Sequence, residues 1–159
     1  MPSRIQIKYS YPFPVNDVWE ALTDKQALSQ WLMDTADFQP IVGTKFQFRS
    51  TPSKHWRGYV DCIVTEVDPP KLISYSWCGD DNGATTTVTW QLKPTPNGTE
   101  LTLTHSGFTG VGGFILSRIV LGPGWKKMLR VKIPIVLNFM KENGKNFPTE
   151  GKLAGCEHS

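Results

Sequence analysis

The chain has 159 residues and a mass of 17.9 kDa, with 39% apolar, 11% aromatic and 19% charged residues. That is one ordinary domain able to bury its own core, which excludes a disordered chain and a scaffold dependent on disulfides or metals. The net charge of +3 is too small an excess to point to nucleic acid.

Residues 4–12 alternate, with Ile5, Ile7, Tyr9 and Tyr11 on one side, and predict a half-buried strand. Pro14 then opens VNDVWEALTD, where Val15, Val18, Trp19 and Leu22 fall at helical spacing and Asp17 favours the helix dipole. Thr23 or Asp24 is placed to cap a second short helix in DKQALSQWLM. After Gly43, Phe46 and Phe48 point one way while Lys45, Gln47 and Arg49 point the other. Further strands are expected over 56–67, 72–78, 85–92 and 100–107, punctuated by Asp68-Pro69-Pro70, the loop 79–83 and the turn 94–98. Their inward faces read Ile73, Tyr75 and Trp77, then Val88, Trp90 and Leu92, then Leu101, Leu103 and His105. Such spacing argues for an antiparallel meander.

The last third changes character. Residues 109–121 are Gly-rich and apolar, and Gly122-Pro123-Gly124 is expected to break them from the residues beyond. Trp125, Met128, Leu129, Ile133, Val136, Leu137 and Met140 then recur as one face of a long helix. Pro134 should kink it by removing the bond to the carbonyl of Arg130. Residues after Gly144 read as a frayed tail. The amphipathic helix is the natural cover for the one-sided aromatic strands, and a curved sheet gripping it leaves room for a gap between them.

Chemical motifs are few. Cys62, Cys78 and Cys156 show no CxxC spacing, which excludes a zinc ribbon or a thioredoxin-like pair. Cys62 and Cys78 read as buried structural thiols and Cys156 as an exposed one. No HExxH, GxSxG or P-loop occurs, so no metal and no cofactor is expected. MPSRIQIKYS lacks the apolar core of a signal peptide, and no uncharged stretch is long enough to span a bilayer. A cytoplasmic protein, not integral to the membrane, is the expectation.

The pattern PVNDVWEALTD, WLM and DF, then VGTKFQF, WRGYV, EVDPPKLISYSW, TTTVTWQL, GTELTLTHSGF and a closing GW-K-ML resembles the activator-of-heat-shock-chaperone-ATPase homologue family. That family belongs to the START/birch-pollen-allergen superfamily (SRPBCC). The resemblance covers roughly residues 5–140. It implies an α+β helix-grip fold: a curved antiparallel sheet wrapped around a long C-terminal helix, with two short helices after the first strand. It implies one domain over 1–159, with a core at about 4–145. It also implies an apolar cavity between sheet and helix, since superfamily members bind lipids, sterols, polyketides or plant hormones, and some are cyclases or hydrolases. The founder stimulates a heat-shock chaperone through a region this chain is too short to include. The family carries no shared triad to transfer. The Gly-rich stretch 109–124 departs from its shortest members as a longer entry to the last helix. Fold alone does not name the function.

Phe46, Phe48, Tyr75, Trp77, Trp90 and His105 share the concave face on this reading. Either they line a pocket, with Tyr75 and His105 as polar anchors, or they pack directly on the helix as core. The full set expected against a ligand is Trp31, Phe46, Phe48, Tyr75, Trp77, Trp90, His105, Phe108, Trp125, Met128, Leu129 and Ile133. His105 and Tyr75 are also the weak candidates for acid–base chemistry, but no carboxylate is placed beside either. Asp61 and Glu66 are expected to face solvent. Residues 112–145 carry seven basic side chains against Glu142 alone. That suits an anionic lipid surface, an acidic protein partner, an anionic ligand head group, or simply a solvated helix face. Binding of a small apolar or amphipathic molecule ranks first. A chaperone-cofactor-like interaction module ranks second, and a cyclase or hydrolase third.

Overall fold

The computed structural model describes residues 3–81 and 83–157. Six strands form one antiparallel sheet in the order β1-β6-β5-β4-β3-β2. They are β1 Ser3–Tyr11, β2 Lys45–Arg49, β3 Tyr59–Asp68, β4 Leu72–Trp77, β5 Thr86–Thr95 and β6 Gly98–Phe108. Two short helices, α1 Val15–Thr23 and α2 Lys25–Trp31, lie between β1 and β2 in the chain. Strands β2 to β6 pair in sequence order, and β1 joins the far edge beside β6, with Ile7 opposite Leu103.

Period-two burial sets the inward face. Val88, Trp90 and Leu92 of β5 and Leu101, Leu103 and His105 of β6 are buried, while Thr87 and Gln91 point outward. On β3 the buried series Val60, Cys62, Val64 loses phase after Val64, where the register with β4 slips. Such an irregularity bends a strand and adds curvature to a sheet. Trp56, expected inside this strand, lies before it and bridges Ser53. Asp24, not Thr23, caps α2: its carboxylate accepts the N–H of Ala27 at 3.0 Å. Trp31 donates its indole N–H to the carbonyl of Ala21 at 2.8 Å and so ties α2 to α1.

The chief departure from expectation comes after β6. Residues 110–143 form one continuous helix, α3, and Gly122-Pro123-Gly124 does not break it. Gly110–Ile115, Gly122–Lys127 and Ile133–Asn143 are α-helical, while Leu116–Leu121 and Met128–Lys132 are wider π-helical turns. The N–H of Gly122 bonds to the carbonyl of Ser117, and that of Ile133 to the carbonyl of Met128, each five residues back. A proline clashes with the carbonyl four residues before it and brings no N–H. A wide turn just ahead of Pro123 and of Pro134 removes the demand for that bond, so the helix runs on. Gly122 is needed at the first turn, because a Cβ there would lie 2.8 Å from the carbonyl oxygen of Ser117.

The two halves of α3 differ. The second half buries Trp125, Leu129, Ile133, Val136 and Leu137 in the core. Among residues 110–121 only the side chain of Ser117 is buried. The tail is docked, not frayed. Phe147 stacks on Phe139 with ring centroids 5.1 Å apart, the Gln30 side-chain oxygen accepts the N–H of Leu153 at 2.7 Å, and Lys152 donates to the carbonyl of Ser29. Cys156, expected to be exposed, is 1% exposed with its thiol 3.8 Å from the carbonyl of Lys132. Buried Gln30 needs polar partners, and the tail supplies them.

Candidate functional site

His105 sits at the centre of the concave face, turned inward by the alternation that buries Leu101 and Leu103. The indole N–H of Trp125 on α3 donates to its Nδ1 at 3.1 Å. Its Nε2 lies 2.7 Å from the hydroxyl of Thr86, and that hydroxyl lies 3.0 Å from the carbonyl oxygen of Trp77. Acceptance at Nδ1 puts the ring proton on Nε2, so the imidazole donates to Thr86 and Thr86 donates to Trp77. The result is one polar chain from α3 across β6 and β5 to β4, with every member satisfied and no charge. Burial pushes the His105 pKa down to about 3. Both ring nitrogens are engaged, so in this geometry neither is open to a substrate proton. Thr86 had no place in the sequence reading. The same period two that marks Val88, Trp90 and Leu92 extends back to it and is the signal for its inward position.

Tyr75 on β4 forms a second polar point. Its hydroxyl accepts the indole N–H of Trp90 at 2.9 Å. Burial raises its pKa far above the usual phenol range, so it stays protonated. Around these points the rings meet edge to face or tilted, arrangements their quadrupoles favour over a face-to-face sandwich. Phe46 lies 5.4 Å from Tyr75, and Phe48 lies 5.8 Å from Trp77. Trp31 and Trp125 each lie 5.6 Å from Trp90. Trp77 lies 5.4 Å from Trp125, and Phe108 lies 4.6 Å from His105. Leu129 and Ile133 close the set from α3. All the residues expected against a ligand are thus brought together between sheet and helices, and all are buried except half-buried Met128.

The space between sheet and α3 is packed in this state. Phe48, His105, Leu129 and Ile133 present no surface to a water-sized sphere, and Tyr75 and Trp90 present about 1%. Two open hollows lie elsewhere. One of about 450 Å³ is on the sheet over Lys71, Gln91, Lys93 and Glu100, and one of about 330 Å³ lies between Met33, Arg49, Thr51 and Lys152. Asp61 and Glu66 face outward. Asp61 pairs with Arg57 at 3.2 Å and accepts from Gln47 at 2.6 Å. Among the described residues no group of three or more His, Cys, Asp or Glu side chains is placed to hold a metal, and no helix is long and apolar enough to cross a membrane.

A curved antiparallel sheet gripping a long C-terminal helix, with two short helices after its first strand, defines a helix-grip protein of the α+β class. Within that class, the chain belongs to the activator of Hsp90 ATPase homolog 1-like family, which matches residues 12–132. It is similar to the protein MLL2253 from Mesorhizobium loti, with 30% identity over 86% of this chain and 97% of that one, and a TM-score of 0.72. The fold also matches the Aha1 dimer from Colwellia psychrerythraea at 23% identity and a TM-score of 0.68, over 91% of this chain and 99% of that one. CalU16 from Micromonospora echinospora matches at 20% identity and a TM-score of 0.68, over 91% and 82% of the two chains. No curated protein matches the chain.

Proposed function

We propose that this protein binds a small apolar or amphipathic molecule between the sheet and α3, and that the first half of α3 lifts to admit it. One observation carries the reading: residues 110–121 bury a single side chain, that of Ser117, where the aromatic set reaches its edge at Phe108. Gly113 sits against Phe108, so close that a Cβ would come within 3.1 Å of its backbone. A segment that buries so little apolar surface opens at small cost, while Trp125, Leu129 and Ile133 hold the second half in place. Apart from the Tyr75 hydroxyl hydrogen, the walls satisfy their own polar atoms, so what lifting uncovers is mostly apolar. Displacing water from it contributes about 25 cal/mol per Å². The Tyr75 hydroxyl accepts from Trp90 and keeps its own hydrogen for a ligand oxygen. His105 serves as the link that positions Trp125 rather than as a proton donor or base. Cyclase or hydrolase chemistry therefore draws no support from it.

The test has two parts. Native mass spectrometry of the purified protein looks for a co-purified mass lost on organic extraction. The extracted protein is then titrated with a fluorescent fatty-acid analogue and with 1-naphthol, following tryptophan emission. Saturable binding that perturbs the emission is expected. A clean apo mass together with no saturable binding of either probe overturns the reading. The interaction-module reading stays second, favoured by apolar residues exposed along the first half of α3.

A further inference from the structure

We infer that the first half of α3 docks this protein onto an anionic lipid bilayer. Val111, Phe114, Ile115, Leu116, Ile119 and Val120 are all exposed, with Val111 at 78% and Ile119 at 68%. Large apolar side chains scattered singly on a surface need no explanation, but six within ten consecutive positions form a patch. The side of the helix that meets the sheet is already spent on Ser117, Gly122 and Trp125, so this patch has no partner within the fold.

Charge decides what covers it. Arg118, Lys126, Lys127 and Arg130 are exposed on the same helix. From Leu101 to Lys141 the chain has no Asp or Glu. The chain as a whole is only +3, so the region outside residues 112–145 is net negative and the basic excess lies in that stretch, most of it on α3. The guanidinium of Arg118 lies 5.7 Å from the Phe114 ring centroid, which interleaves cation and apolar surface in one patch. An apolar helix ridge with basic neighbours fits the headgroup boundary: the apolar chains sink below it and the cations meet lipid phosphates. A second copy of this chain is the poorer occupant. Pairing the patch with itself sets four basic residues against four others, with no acid between them. The inference stands apart from the ligand-binding reading, since it needs no ligand and is read on vesicles alone.

Co-sedimentation of the full chain with phosphatidylcholine vesicles, and with the same vesicles containing phosphatidylglycerol, tests it. Binding to the anionic vesicles should exceed binding to the neutral ones by about tenfold or more and should weaken as salt is added. Val111→Ser with Ile119→Ser should reduce anionic-vesicle binding about tenfold at unchanged charge. Lys126→Gln with Arg130→Gln should erase most of the preference for phosphatidylglycerol. All four side chains are exposed, so each double variant should melt like the parent, which is checked by circular dichroism. Equal binding to both vesicle types, or to neither, overturns the inference. So does a dimer in sedimentation velocity that Val111→Ser with Ile119→Ser dissolves, because a second copy then covers the patch.

Discussion

The phenol of Tyr11 donates to the main-chain carbonyl of Leu129 at 2.6 Å, joining β1 to α3 across 118 residues. The bond answers a need created by Pro134. In an α-helix the Leu129 carbonyl would accept from the N–H of Ile133, but that N–H is given to Met128. In a wide turn it would accept from residue 134, which is proline and has no N–H. A buried carbonyl is thus left over, and Tyr11 is placed to serve it. At the first wide turn the carbonyl in the same position is that of Arg118, an exposed residue that water reaches.

Tyr11→Phe should therefore destabilise the protein by about 1–3 kcal/mol, the cost of an orphaned buried acceptor. Pro134→Ala supplies an N–H within reach of the same carbonyl, so in the Tyr11→Phe background it should recover part of the loss. Urea unfolding of the two single variants and the double variant reads the coupling. Strictly additive effects would show that the carbonyl is satisfied some other way.

Two glycines of α3 should respond in opposite directions to the same change. Gly112→Ala meets nothing within 4 Å and should stabilise by up to about 1 kcal/mol through helix propensity. Gly122→Ala gains the same propensity but drives a Cβ to 2.8 Å from the Ser117 carbonyl oxygen, so it should lower the melting temperature. Equal shifts in both would mean the wide turn is not held in solution.

Stability should fall on acidification because of His105. Its folded pKa is about 3 against 6.5 for a free imidazole, so below about pH 6.5 the unfolded chain takes up a proton that the native one refuses. The contribution is fully present above that pH and is lost as pH drops toward 3, at about 1.4 kcal/mol per pH unit. Denaturant titrations between about pH 6 and pH 5, above most carboxylate pKa values, should show this slope in the parent and a flatter one in His105→Gln. Parallel slopes would place the imidazole in contact with water.

The thiols should react in a set order. Cys62 and Cys156 are buried and Cys78 is partly exposed. Burial raises the pKa of Cys62 and of Cys156. An aromatic disulfide reagent should modify Cys78 first in the native protein and reach the other two only on unfolding. Early labelling of Cys156 would mean that the tail does not stay docked.

Alternation at Ile5–Ile7 or Val88–Trp90–Leu92 is legible in sequence because a pleat leaves each side chain one of two faces. The unbroken path of α3 through Gly122-Pro123-Gly124 is not. The rule that such residues end a helix assumes bonding to the fourth residue back, and here the bond goes to the fifth. Inward direction is likewise legible for Tyr75, Trp77 and His105, but not how they fill the interior. That depends on ring tilts and on one indole from α3 meeting one imidazole from β6. Phe147, Leu153 and Cys156 are too sparse to show a period, so nothing in the tail alone announces that Gln30 holds it.

The placing of β1 beside β6 has a consequence for how the molecule is made. During synthesis Ile5, Ile7 and Tyr11 leave the ribosome with their only neighbouring strand still unmade, since that strand is not complete until residue 108. Strands β2 to β6 each pair with the strand next to them in the chain. The first strand pairs with the last, and contacts so distant in sequence are of the kind that slows folding.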